Sequence, residues 1–263
     1  MRYGVFSGGK RFRPVLTLAV GELFHAKIQA LLPFACAIEL IHSYSLIHDD
    51  LPALDNDDLR RGKPSNHKRF GEGMALLAGD ALLTEAFCMM SDPQVVRLLG
   101  SPMISRLIHE VAEAAGARGM VAGQSRELDS NGRRITVSVL ETLQRLKTGA
   151  LITTAARVGA MVGKATAKEL GRITRYGQCL GLAFQITDDI LDARADSVKA
   201  RRVSGAGTHA VVADVNYVSI IDISTAQCRA RSLLTRCFKE IEPFGEAAQP
   251  LREIARAIVE RTE

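Results

Sequence analysis

Three observations predict an all-α fold. Apolar residues recur at helical spacing along most of the chain, as in Leu251, Ile254, Ala255, Ile258 and Val259, the i, i+3, i+4, i+7, i+8 stripe of one buried face. No convincing strand is present. Gly or Pro punctuation near Gly62-Lys63-Pro64, Asp92-Pro93, Ser101-Pro102 and Gly132 cuts the remainder into helix-length pieces, roughly eight to ten of them at a typical length of about 11 residues or more. With 263 residues, 47% of them hydrophobic, and no Pro/Gly/Ser-rich linker, the chain is expected to bury one large core as a single domain over 1–263.

Taken in order, the first clear helix carries Ala37, Ile41 and Ser45 and is expected to end near Asp50, because Pro52 does not fit a helix interior. A short irregular turn should then swing Asp55 back toward Asp49. His42 lies two turns before Asp49 and shares its face. Further on, Ser138-Val139-Leu140-Glu141 has the form of a capping box ahead of Leu143 and Leu146. From Leu170 to Asp192, residues Ile173, Gly177, Leu180, Gly181 and Phe184 follow helical spacing, and steps of four carry that stripe to Asp188 and Asp192, whose carboxylates are expected to point inward.

The chemistry concentrates in two acidic clusters about 140 residues apart, Asp49-Asp50-Leu51-Pro52-Ala53-Leu54-Asp55 and Asp188-Asp189-Ile190-Leu191-Asp192, both flanked by apolar sequence. Carboxylates in such surroundings are costly unless something cationic meets them. Neither cluster holds the Cys or His that zinc prefers, so hard oxygen ligands point to Mg2+ shared with a phosphorylated substrate. The net charge of +5 does not signal nucleic acid, since the basic residues are scattered among 29 acidic ones, Trp is absent and aromatics are 5%. A small anionic substrate accounts for the balance. Five cysteines with no Cys-x-x-Cys spacing fit buried thiols in a reducing compartment, favouring the cytoplasm. Because Glu39 and Arg157 interrupt the most apolar stretches, no run of the 18 or so residues that a membrane span needs is expected, nor any stable membrane insertion.

On its motifs the chain resembles the trans-isoprenyl diphosphate synthases, and within them the bacterial farnesyl and geranylgeranyl diphosphate synthases. Those motifs are Gly8-Gly9-Lys10-Arg11-Phe12-Arg13-Pro14, His42 through Pro52, Asp57 through Pro64, Ala78-Gly79-Asp80, Gly123-Gln124, Lys147-Thr148-Gly149-Ala150 and Gly181 through Asp192. They cover nearly the whole chain in order. The resemblance implies a helical bundle of the isoprenoid synthase type around a central cavity, a homodimer, and condensation of isopentenyl diphosphate with an allylic diphosphate. It implies that Mg2+ is held by Asp49, Asp55 and Asp188, with Asp50, Asp189, Asp192 and Glu127 as further direct or water-mediated ligands. Lys147, Arg60, Thr148, Gln185 and Arg202 would meet the allylic diphosphate or the nascent cation. Lys10, Arg13 and Arg61, with His42 as a hydrogen-bonding partner, would take isopentenyl diphosphate without metal. His48 is expected to be structural. Tyr44, and less so Ser45, would floor the product tunnel, which favours farnesyl diphosphate, while Lys63 through Lys68 also resembles geranylgeranyl synthases.

Three departures from that pattern stand out. The opening helix that relatives carry ahead of Gly8-Gly9-Lys10 is expected to be missing. Glu127 stands where relatives have Asp. In the atypical segment 193–216, Arg201-Arg202 and Asp214-Val215-Asn216-Tyr217 replace a Gly-Lys and a Lys-x-Thr-Tyr, and Asp214 reverses a charge that would assist the allylic diphosphate. Family-like sequence resumes at Tyr217. So sharp a boundary predicts a shifted reading frame in the gene, to be rejected if the other frames encode neither motif. Two other readings stay open: a catalytically impaired partner subunit of a heteromeric synthase, and a terpene cyclase, against which the second Asp-Asp-x-x-Asp argues.

Overall fold

The structure, a computed structural model, describes residues 1–130, 133–202 and 216–260, except the side chains of 196–202. The side chains of Arg201 and Arg202 lie outside the described residues, as do Asp214 and the rest of 203–215 in the atypical segment. The all-α expectation holds. Among the described residues ten α-helices reach eight residues or more, and the β-structure is one two-residue hairpin.

The described contacts fall into two compact units, Met1–Ala112 with Val158–Ala165, and Glu113–Arg157 with the remainder. In the first unit α1 (Arg2–Phe6) and α2 (Phe12–Leu23) precede α3 (Ile28–Asp49); β1 (Leu59–Arg60) and β2 (Lys63–Pro64) form the hairpin; α4 (Asn66–Phe70), α5 (Glu72–Met90), α6 (Pro93–Leu99) and α7 (Ser101–Ala115) follow. Its core is built on Leu16, Phe34, Ile38, Ile41, Leu82 and Leu107. The helices α3 and α5 approach closely because residue 79 is glycine: a Cβ there would lie 2.0 Å from the His48 ring. His48 in turn bonds the Leu76 carbonyl at 3.0 Å, which fits its expected structural role.

The second unit holds α8 (Met120–Ser130), α9 (Val137–Gln144), a π-helical turn at Arg145–Gly149, α10 (Ala150–Val162) as far as Arg157, α11 (Ala167–Arg202), α12 (Tyr217–Ile220), α13 (Ile223–Ile241), a 3-10 stretch at Glu242–Ala248, and α14 (Gln249–Val259). Tyr176 on α11 donates to the Leu251 carbonyl of α14 at 2.8 Å, in a core that includes Ile173, Leu180, Leu233 and Ile241. The C-terminal stripe behaves as its spacing requires, with Leu251, Ala255 and Ile258 buried.

Two expectations need correction. The cap of α9 is Thr136, whose hydroxyl accepts from Val139 N at 3.4 Å, while Ser138 lies inside the helix and Glu141 pairs with Arg229 at 2.8 Å. The reason is competition: a carboxylate with a guanidinium in reach gains more than one folded back onto a cap. Glu39 also fails to break the apolar run. By length and composition α3 and α5 could each cross a membrane, but 61% of the α3 window is buried inside the fold, and Glu39 meets Arg11 Nη1 at 2.7 Å.

Candidate active site

In the first unit the sequence builds a basic cluster from backbone that is unusual for arginine. The two-residue loop of the hairpin, Arg61-Gly62, has positive φ at both positions (54° and 73°), the geometry whose twist matches paired strands. Arg61 at the tip donates through Nη1 to the Gly8 carbonyl. Gly9, at φ 118°, leaves room for it, since a Cβ there would fall 2.5 Å from the same Nη1. Arg11, also left-handed at φ 50°, spans from Glu39 to the Val5 carbonyl and anchors the Gly8-Gly9-Lys10 turn to α3. Arg13 is buried on α2 and Lys10 is exposed.

The fields of these arginines converge on His42. Burial, then the charges of Arg13, Arg61, Arg11 and Arg60, hold its imidazole well below the usual histidine range, so His42 is neutral at pH 7. Arg61 is itself lowered, by burial and then by Arg11. Concentrated positive charge beside a neutral donor or acceptor suits a diphosphate.

The first acidic cluster follows directly. α3 ends at Asp49 with Asp50 as its C-cap, and the Asp55 amide donates back to the Asp49 carbonyl at 2.9 Å, giving the expected return of the turn. Asn56, at φ 53°, closes it onto Leu51. Asp49 is half-buried and Asp55 exposed. Asp50 differs: it is 2% exposed and accepts from Arg60 Nε at 2.8 Å and from Nη2, while the same Nη2 reaches Asp57 at 2.9 Å. Burial raises the Asp50 carboxyl, with Arg60 pulling it back. Asp50 thus holds Arg60, so the residue read as a metal ligand and the one read as a diphosphate contact are paired with each other. A carboxylate this deeply buried takes the nearest cation.

In the second unit the π turn carries Lys147 and Thr148, a helical irregularity that recurs at functional sites. Two glycines bring neighbouring chain against it. A Cβ at Gly123 would lie 2.3 Å from Lys147 N, and one at Gly181 would lie 2.9 Å from Gly149 Cα. One turn beyond Gly181, Gln185 Oε1 accepts from the Thr148 hydroxyl at 3.0 Å, so these two sequence-predicted residues meet. Lys147 Nζ pairs with Glu127 through Oε2, so the carboxylate assigned to metal meets the ammonium assigned to the allylic diphosphate.

Asp189, not Asp192, is the inward aspartate of α11. It is 5% exposed and accepts from Gln185 Nε2 at 2.9 Å, Gln144 Nε2 at 3.1 Å and Tyr217 N at 2.9 Å. Burial raises its carboxyl and those three bonds oppose the rise. Asp188 is half-buried and Asp192 exposed, because the buried side of α11 runs through Tyr176, Leu180, Ala183, Ile186 and Ile190.

Among the described residues no three His, Cys, Asp or Glu side chains converge as a metal cluster. The carboxylates of Asp49, Asp55, Asp188 and Asp192 nonetheless offer the hard oxygen donors that Mg2+ takes. Asp189 has both carboxylate oxygens on protein donors, while Asp50 meets Arg60 through Oδ1 and Glu127 meets Lys147 through Oε2.

Residues 1–240 match the family model for polyprenyl synthetase. The chain is 42% identical to a dimethylallyltranstransferase of Fischerella ambigua, covering 100% of this chain and 75% of that protein. It is 40% identical to the farnesyl diphosphate synthase of Escherichia coli, covering 99% and 88%. The chain belongs to the polyprenyl synthetase family. An apo crystal structure of an FPP/GFPP synthase from Zymomonas mobilis superposes with a TM-score of 0.86 at 37% identity, covering 98% of this chain and 86% of that one.

Within this polyprenyl synthetase, sequence reasoning missed Gln144 and the Arg11–Glu39 pair. Gln144 had a signal: it stands four residues before Thr148, as Gln185 stands four before Asp189, so the two i, i+4 pairs face one another. The Arg11–Glu39 pair, 28 residues apart, had none.

Proposed function

We propose that this polyprenyl synthetase condenses isopentenyl diphosphate with dimethylallyl or geranyl diphosphate, with farnesyl diphosphate as product. The chain is a prenyltransferase of isoprenoid biosynthesis, and its likeness to the isoprenyl diphosphate synthases implies the steps: the allylic carbon–oxygen bond ionises, the homoallylic double bond attacks the cation, and a proton leaves. The assignment of isopentenyl diphosphate is supported by the basic cluster in which Arg61 is held on the Gly8 carbonyl, Arg11 on Glu39, and Arg13 is buried, with His42 in their field. Lys10, Arg13 and Arg61 bind its diphosphate, and His42 contributes a hydrogen bond.

Bound Mg2+ would supply Lewis-acid neutralisation of the departing diphosphate, with Asp49, Asp55, Asp188 and Asp192 as its ligands. Lys147, steadied by Glu127, brings positive charge to the allylic diphosphate, and Thr148 with Gln185 faces the nascent cation. Tyr44 limits chain length. It is 8% exposed, packs edge-on against His48 with centroids 5.7 Å apart, and is flanked by Ser45, whose hydroxyl bonds the His42 carbonyl. A homodimer in the cytoplasm, without stable membrane insertion, completes the proposal; five free thiols and the burial of α3 support the setting.

The test is incubation of the purified chain with dimethylallyl diphosphate, isopentenyl diphosphate and Mg2+, with products read by mass spectrometry. A fifteen-carbon product is expected. A twenty-carbon product would make it a geranylgeranyl synthase, and none, where a control synthase works, would favour the impaired-subunit reading. Tyr44→Ala should lengthen the product; an unchanged length removes Tyr44 from the tunnel floor.

A further inference from the structure

Helix α11 and the segment Gln144–Gly149 run against each other as a ladder of matched positions. Gly181 stands against Gly149, Gln185 against Thr148 and Asp189 against Gln144. The polar rungs have a direction. Tyr217 N is a backbone donor and can only donate to Asp189 Oδ2, at 2.9 Å. As a carboxylate, Asp189 is acceptor-only, so Gln144 and Gln185 must both turn their amide nitrogens toward it. Amide orientation follows from such a network, and here one orientation alone avoids opposing two acceptors. Gln185 Oε1 is thereby fixed toward Thr148, whose hydroxyl hydrogen is drawn onto it at 3.0 Å. What Thr148 then offers to anything else is lone pairs.

We infer that Asp189 is a positioning residue that sets the polarity of the Gln185–Thr148 relay, so that Thr148 meets the substrate as an acceptor and never as a donor. Gln144 is the second positioning residue, holding Asp189 from the start of the π turn. An oxygen presenting lone pairs stabilises positive charge on the allylic carbon, whereas one presenting O–H would oppose it. The inference rests on the prenyl-transfer reading, in which Thr148 faces the developing cation. It also explains why a buried carboxylate next to a proposed metal ligand is surrounded by neutral donors. Asp189→Asn keeps the shape but supplies a donor, which lets the Gln185 amide invert and turns Thr148 into a partner that accepts from Gln185 and donates outward.

The test is a double-mutant cycle on kcat. Asp189→Asn is expected to lower kcat about tenfold, the scale of one hydrogen bond redirected at a reacting charge, with KM for isopentenyl diphosphate changed less than about twofold. In a Thr148→Val background the same change should alter kcat by less than about twofold. If Asp189→Asn costs the same factor with and without the Thr148 hydroxyl, Asp189 acts elsewhere, as a metal ligand would, and the inference is overturned. Should Asp189→Asn not fold, Gln185→Leu cuts the same relay one link closer and takes its place. A chain that turns over no substrate overturns the prenyl-transfer reading instead. The relay itself is then checked by melting temperature, where Asp189→Asn must cost less in a Gln185→Leu background than alone, and equal costs would overturn it.

Discussion

The two aspartate clusters share an Asp-Asp pair, and in both the second member is buried and held by the protein, yet the holding differs. Asp50 is met by a guanidinium that is itself a third exposed; Asp189 is met by two amide side chains and a backbone N–H, with no cation among the described residues. The first arrangement closes on a turn, 51–56, that is kept in shape by an Asn at positive φ. The second sits in the middle of a 36-residue helix. An ion pair with one partner facing water can be screened and re-formed, whereas three neutral donors fixed on packed helices cannot. The difference places adaptability at the first cluster and rigidity at the second.

The largest expected effect separates the paired aspartates of the first cluster. Asp49→Ala should lower kcat roughly a hundredfold or more, the loss typical of removing charge stabilisation at a leaving group, with KM for isopentenyl diphosphate within about threefold. Equal losses in both, measured by steady-state kinetics, would remove Asp49 from the leaving-group side. Asp50→Ala should act on the fold, costing about 2 kcal/mol in denaturant unfolding: less than a fully buried pair, because Arg60 is 32% exposed and screened. Its cost should shrink between about 0.05 and 0.5 M salt, while that of Asp189→Ala stays constant. Matching salt dependence would mean that the clusters are held by the same physics.

Rigidity at the second cluster has a smaller test in the glycines. At Gly181 an added Cβ meets backbone, the Gly149 Cα, whereas at Gly79 it meets the ring of His48. A side chain can turn aside and a helix axis cannot. Gly181→Ala should therefore destabilise by about 2 kcal/mol and Gly79→Ala by less, in paired melting curves. The reverse order would put the tight crossing in the first unit.

How much of this was legible beforehand depended on distance along the chain. Helical period located α3, α11 and α14 and placed Asp49 at a helix end, because those patterns lie within a few residues of one another. The motifs brought Thr148 and Gln185 onto one list, and they meet 37 residues apart. Period failed at Asp192: an extrapolated stripe drifts around a helix, and the buried side reached Asp189 instead. Nothing local marks Glu39 as the partner of Arg11, or Tyr217 as a backbone donor to Asp189. Such pairings are set by which elements pack, so a carboxylate that reads as a metal ligand by motif can be spent on the fold.

The smallest effect tests the adaptability of the first unit through pH. His42 has its imidazole held below the unfolded value of about 6.5, by burial first and then by the surrounding arginines. A lowered folded value means that the unfolded chain takes up a proton which the folded chain refuses. The stability that His42 contributes is therefore present above about pH 6.5 and lost as pH falls toward its folded value, at no more than about 1.4 kcal/mol per pH unit. His42→Asn removes this dependence, so wild type should lose more stability than the variant between pH 7.5 and pH 5.5 in parallel urea titrations. The raised carboxyls of Asp50 and Asp189 shift stability in the opposite sense and are common to both proteins, so they cancel in the difference. Added inorganic diphosphate should narrow the gap, because an anion among the arginines lets His42 accept its proton. A gap that survives saturating diphosphate would separate His42 from the anion site and leave the arginine cluster to bind isopentenyl diphosphate without it.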